Sequence, residues 1–282
     1  SDTISFNLQN SAGTVAFTAS TFINSLTLNG AFTLSNSVLS IYGNYTYTAS
    51  TTLTAGTNAW TFAGTGSQTI TGNGATLDFP VTFNGSGGTW TLGSALTVGS
   101  TRLTALTNGT VSLAGYTLTT GLFATATGTK NITFNGGTLT VSGSGAAAFN
   151  NNQPTNFTTT AGTGTGTISM TSASTKTFVG GGSTYNCTIN QGGAGALTIT
   201  GSNTFGNITN TTQPVSVLFT AGTTTTFTTN FALSGTAGNL VTINSATAAQ
   251  HILSKASGTV DVSYCNISYS NATGGASWLA YP

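Results

Sequence analysis

The chain has 282 residues and a net charge of +1, and only 2% of it is Asp, Glu, Lys or Arg, against about 25% in an ordinary domain. That balance offers no electrostatic footprint for nucleic acid or an anionic membrane. No apolar run approaches the ~20 residues of a membrane helix, which argues against membrane insertion.

Ser1 opens the chain without a signal-like segment, so the start reads as processed, trimmed or internal. Short runs in which apolar residues alternate with Thr or Ser follow: Ile4, Phe6 and Leu8; Val15 and Phe17; Leu26 and Leu28; Phe32 and Leu34; Leu39 and Ile41; Leu53. Period-two alternation is a strand signal, because successive side chains point to opposite faces. Turn chemistry punctuates the runs at Asn10-Ser11-Ala12-Gly13, Asn29-Gly30 and Gly43-Asn44. The pattern continues through Trp60-Thr61-Phe62 to Ile70 and is densest from Asp78 to Thr120. There Val81-Thr82-Phe83, Trp90-Thr91-Leu92, Leu96-Thr97-Val98, Leu103-Thr104, Val111-Ser112-Leu113 and Tyr116-Thr117-Leu118 succeed one another.

Residues 142–166, with Asn151-Asn152-Gln153-Pro154 and a Gly/Thr alternation, read as a surface loop or a junction between two halves. The rhythm resumes at Ile168 and runs through Val215–Phe219, Val241/Ile243 and Val260/Val262/Tyr264. Residues 246–255 are the one stretch that could form a helical turn, although the context favours a strand around Ile252-Leu253. Trp278 is placed to cover the last coil. An echo of Thr21-Phe22-Ile23-Asn24-Ser25, Phe32–Ser35 and Gly43-Asn44 in Thr184–Cys187, Leu197–Thr200 and Gly206-Asn207 suggests an internal repeat.

Helix formers are scarce, whereas Thr, Val, Ile and the aromatics favour strands. Short, evenly spaced strands without helices imply an all-β fold. We expect a parallel β-helix (β-solenoid), spanning 1–282 as one elongated unit and wound right-handed, the default for parallel crossovers. Three strands per turn take on the order of 20 residues, giving roughly 14 coils and, at ~4.8 Å each, a rod about 65–70 Å long.

The groups able to do chemistry are few: Arg102, Lys130, Lys176 and Lys255 against Asp2, Asp78 and Asp261, with His251 the single imidazole. Glycoside hydrolysis ordinarily needs two carboxylates within ~5–10 Å, and these three are far apart in sequence. A calcium-assisted lyase needs clustered Asp beside a base. A triad would have to join His251 to Asp261, with no G-x-S-x-G elbow. His251 therefore reads as solvent-facing or hydrogen-bonded, and Asp78 as a turn or cap residue before Phe79-Pro80. Gly180-Gly181-Gly182 lacks the G-K-[ST] and helix of a phosphate loop. Cys187 and Cys265 are too few for a zinc site and read as buried thiols rather than a disulfide. No catalytic, cofactor-binding or metal-binding residue is expected, and with so few titrating groups stability should depend weakly on pH.

T-x-T pairs such as Thr89-Trp90-Thr91, Thr117-Leu118-Thr119 and Thr198-Ile199-Thr200 resemble those of ice-binding solenoids. Their drifting spacing in sequence favours the plainer reading of Thr as an uncharged outward strand residue. Taken together, residues 52–85, 78–120 and 241–278 resemble the Thr/Gly/Asn-rich repeat proteins of tailed-phage fibres and environmental bacterial surface adhesins. The resemblance implies an extracellular, non-enzymatic structural solenoid. Uncharged flanks and unpaired strand edges point to self-association into a homo-oligomer or filament. The alternative is a surface or secreted adhesin binding glycans through exposed Tyr, Trp and Asn.

Overall fold

The computed structural model describes residues 6–8, 13–17 and 20–282. Ile4, the Asn10-Ser11-Ala12 turn and Asp2 lie outside them. All regular elements among the described residues are strands, thirty-three of them, with no helix. Every ladder between these strands is parallel, as in the pairing of Trp60–Phe62 with Val81–Phe83 one coil on. The chain winds into a β-solenoid of about 13 turns.

Each coil presents three faces. The first runs from Thr21–Ile23 to Cys265–Ile267, the second from Phe6–Leu8 to Ser270–Thr273, and the third from Thr14–Val15 to Ser277–Tyr281. Parallel pairing joins equivalent strands across coils, because one coil has no partner for its own backbone. The number of residues per coil is not constant. It ranges from 18 between the partners Thr21 and Leu39 to 31 between Gly145 and Lys176.

Alternation dictates what faces inward. Leu96, Leu118, Leu139, Ile168, Ile189 and Ile208 stand over one another on the third face, all buried. Aromatic rings form parallel columns. Phe62 stacks on Phe83 with centroids 5.2 Å apart, and Phe149 lies between Phe123 at 5.3 Å and Phe178 at 4.3 Å. Such offset pairs contribute about 0.5–1.5 kcal/mol each beyond their burial.

The structure corrects several expectations. Two strands, Gly145–Asn150 and Phe157–Thr160, lie within 142–166 and pair with the coils before and after or before alone. Phe149 and Phe157 supply the buried residues that a loop reading overlooks. Strands Val81–Leu92 and Leu103–Ser112 each continue round a corner from the first face to the second. Their glycines, counted as turn residues in the sequence, sit within the strand. The echoed segments Thr21–Ile23 and Thr184-Tyr185 occupy different faces, so the echo marks a strand-and-turn unit rather than the coil period. His251–Ser254 is a strand, as favoured. Trp278 packs edge-on to Phe231 at 5.6 Å in the last coil.

The corner between the first and second faces depends on glycine. A Cβ on Gly85 or on Gly88 would overlap the carbonyl oxygen of Gly64, and Gly109, at φ +91°, would meet the oxygens of both Gly85 and Gly88. Backbones of successive coils therefore approach with no side chain between them. Gly85→Ala should destabilise the fold by about 2–4 kcal/mol, the range of forced overpacking and backbone strain. Urea unfolding measures this, and a loss under about 0.5 kcal/mol, the range of an ordinary surface change, would refute the close-approach account.

Candidate functional site

The ionisable groups are distributed through the fold, and each described contact is structural. Asp78 and Arg102 meet across adjacent coils, the Arg102 Nε donating to Asp78 Oδ1 at 2.8 Å. The cap reading of Asp78 missed this pair, because a sequence separation of 24 conceals a one-coil separation. Asp261 is exposed on the last two coils, and Asp2 lies outside the described residues. Among the described residues no three His, Cys, Asp or Glu side chains gather as a metal site would require.

Two lysines point into the rod rather than out of it. Lys130 Nζ donates to the carbonyl oxygens of Gly128 at 2.8 Å and Thr155 at 2.9 Å. Lys176, fully buried, donates to Ser172 O at 3.0 Å, Gly193 O at 3.4 Å and Gly195 O at 2.6 Å. Its ammonium satisfies carbonyls that turn inward where the coil bends, a charge-assisted capping of backbone acceptors. Burial pulls the Lys176 pKa down to about 8 and lowers that of Lys130. Nothing in the sequence marks these lysines as internal; only their alternation with Ile132 and Phe178 hints at it.

His251 is fully buried and hydrogen-bonded, so of its two readings the hydrogen-bonded one holds and the solvent-facing one does not. It stacks on Phe219 at 4.9 Å, and its Nε2 is 3.0 Å from Ser270 Oγ. Its Nδ1 has no partner, and burial lowers its pKa. Cys187 is buried and Cys265 half-buried, both free thiols whose pKa burial raises. Gly180-Gly181-Gly182 forms a corner, with Gly181 and Gly182 at positive φ. Asn203 Oδ1 accepts from the Gly182 N–H at 3.1 Å, and buried Asn151 donates to Ser183 Oγ at 2.9 Å and Tyr185 Oη at 3.0 Å.

Beside that corner the second-face ladder opens. Phe157–Thr160 pairs with the preceding coil, whereas no ladder joins it to Thr184-Tyr185 on the next. Asn186 bridges the gap instead, its backbone N–H donating to Thr159 Oγ1 at 2.7 Å and its Nδ2 to Thr159 O at 2.8 Å. A groove of about 530 Å³ lies over the split, lined among others by Pro154, Thr158, Gly182, Thr184 and Asn186. Asn186 also borders a second hollow of about 320 Å³ that reaches Asn207 and Thr228. No charged side chain lines either. Trp60 and Trp90 are buried in the core, so they are unavailable for the glycan contacts expected of exposed tryptophan.

Two buried groups, His251 and Lys176, carry the expected pH dependence of stability. His251 is held neutral when folded, so its unfolded form binds more protons below its ordinary value of 6.5. Stability is then complete above about pH 6.5 and declines as pH falls through the depressed folded value. Lys176 acts higher: between about 8 and 10.5 the unfolded chain holds the extra proton, so this group adds stability as pH rises across that window. Thermal midpoints should therefore drop from pH 7 to 5, with the drop reduced in His251→Gln, and rise slightly from 8 to 9, with the rise lost in Lys176→Met. Identical pH profiles for wild type and both variants would refute these assignments. Comparison with protein-family models, with curated proteins and with solved structures found no match.

Proposed function

We propose that the chain is a non-enzymatic structural β-solenoid, a rod of an extracellular fibre or virion appendage whose copies associate with one another. The observation that supports this most is where large apolar side chains remain exposed. Phe22, Val38 and Tyr42 are 67%, 42% and 45% exposed in the early coils, Leu103, Tyr116 and Leu240 are 37%, 43% and 48% exposed along the rod, and Ile267, Tyr269, Leu279 and Tyr281 are 41–50% exposed in the last coils. Exposed apolar surface of this kind favours association with another copy of the chain. The use of Lys130, Lys176, Arg102, Asp78 and His251 in internal contacts supports the non-enzymatic part of the reading.

Sedimentation velocity at micromolar concentration tests the association. The expected result is a species heavier than the 28.1 kDa chain, dispersed to monomer by Ile267→Lys with Leu279→Lys. A wild-type chain that stays monomeric refutes it.

The split beside Asn186 supports a second reading, an adhesin that contacts neutral glycans through hydroxyl and amide groups. Retention on dextran and agarose beads, lost in Thr184→Trp, would favour that reading over the rod. Equal behaviour of wild type and variant on both matrices would count against it.

A further inference from the structure

The drift of T-x-T pairs along the sequence disappears once the chain is folded. On the second face, Ser67 and Thr69 pair with Thr89 and Thr91, which pair in turn with Thr110 and Ser112. Those stand on Asn131 and Thr133, and these on Thr158 and Thr160. Five consecutive rungs thus align two columns in strict register, all of their residues open to the outside except Ser112, which is buried, while the corners absorb the variable coil length. Rungs lie ~4.8 Å apart and the two columns about 6.6–6.8 Å apart, giving a two-dimensional lattice of short polar side chains.

We propose that this face binds crystalline ice. Three properties of the array support it. Between the columns, Gln68, Trp90, Val111, Ile132 and Thr159 turn inward and are buried, which anchors every rung to the core and keeps the surface rigid. The outward residues are mostly Thr, whose β-branching restricts χ1, so hydroxyl and methyl positions are set before any partner arrives and little ordering cost remains. The hydroxyls of Thr69, Thr89, Thr91 and Thr110, on the first three rungs, make no hydrogen bond among the described residues and can each donate and accept, whereas on the last two rungs Asn131 Nδ2 donates to Thr133 Oγ1 and the Thr158 and Thr160 hydroxyls donate to Asn131 Oδ1.

Charge complementarity selects the partner. Ice is a neutral lattice of hydrogen-bond donors and acceptors, and a projecting ammonium or carboxylate would retain its own hydration shell against it. Lys130 belongs to the fourth rung's strand, yet its side chain is folded into the rod, so no charge projects from these five rungs. A protein or nucleic-acid partner would favour charged or aromatic anchors, which the array does not offer. The inference is independent of association through the last coils, since the array lies on earlier ones.

Partition of the full chain into a slowly growing polycrystalline ice hemisphere, with microscopy of single ice crystals near their melting point, tests the proposal. Wild type should enter the ice and facet the crystals. Thr91→Tyr with Thr110→Tyr, in the centre of the array, should lose both effects while keeping the wild-type circular dichroism spectrum and thermal midpoint. Thr198→Tyr, outward on the first face, should keep them. Exclusion of the wild type from ice overturns the proposal. So does full activity in the double variant, and loss in Thr117→Tyr with Thr138→Tyr alone would place any such activity on the third face instead, overturning the assignment to the second.

Discussion

The hydrogen-bonded stacking of one coil on the next is the constraint from which the rest follows. Parallel pairing fixes each residue directly over its counterpart ~4.8 Å away. Two like charges at that distance repel by about 1 kcal/mol even in bulk water, and by several at the effective dielectric near a protein surface. A column of charge is therefore costly, whereas columns of Thr, Leu or Phe are favourable. That gives a physical reason for a composition of 2% charged residues. Where charges do occur, the stack isolates them: Lys130 lies between Gly109 and Phe157, and Lys176 between Gly145 and Leu197. Asp78 and Arg102 are neighbours in the stack, but they carry opposite signs.

Stacking also explains the internal polar groups. A corner turns some backbone carbonyls away from both the ladder and solvent, and each must find a donor or cost about 1–3 kcal/mol. Short side chains serve where the corner is tight, as when Asn203 Nδ2 donates to Thr200 O and Gly201 O at 3.0 and 3.1 Å. Wider corners need reach, and the ammonium of Lys176 spans three carbonyls. Asn residues take the same role between coils. Asn36 and Asn58 exchange side-chain and backbone hydrogen bonds, and Asn108 Nδ2 donates to Asn84 Oδ1 at 2.8 Å. The high Asn and Gly content is thus a property of corners, and the high Thr content one of faces.

This division accounts for what could be read from the sequence. Strand positions such as Leu96–Val98 and Val215–Phe219 were legible because alternation is local. The inward column Leu118–Leu139–Ile168 follows from the same alternation once coils are stacked. Register was not legible, because it depends on coil length, and coils differ by as much as thirteen residues between the shortest and the longest. Contacts that depend on register were hidden for that reason: the Asp78–Arg102 pair, the burial of His251 beside Phe219, and the alignment of the T-x-T pairs. The strands within 142–166 were obscured differently. Gly145–Asn150 has three alanines and one phenylalanine, so its inward side is carried by Ala148 and Phe149 alone and shows little periodicity.

The longest coil is also where the ladder parts. Between Phe149 and Phe178 the chain spends 29 residues on one turn, and the surplus is held in the bends on either side of Phe157–Thr160. A ladder can tolerate extra length only by bulging at a corner or by releasing a pairing, since the strand spacing itself is fixed. Here it does both: the register shifts between Gly145 and Phe149 against Lys176–Val179, and on the second face the pairing is released, where Asn186 replaces the missing backbone bonds with its own N–H groups. The replacement preserves the stack while leaving a polar groove that a regular coil could not have. Rigid faces and one irregular coil therefore arise from the same rule, and they divide the surface into a repetitive lattice and a singular cleft.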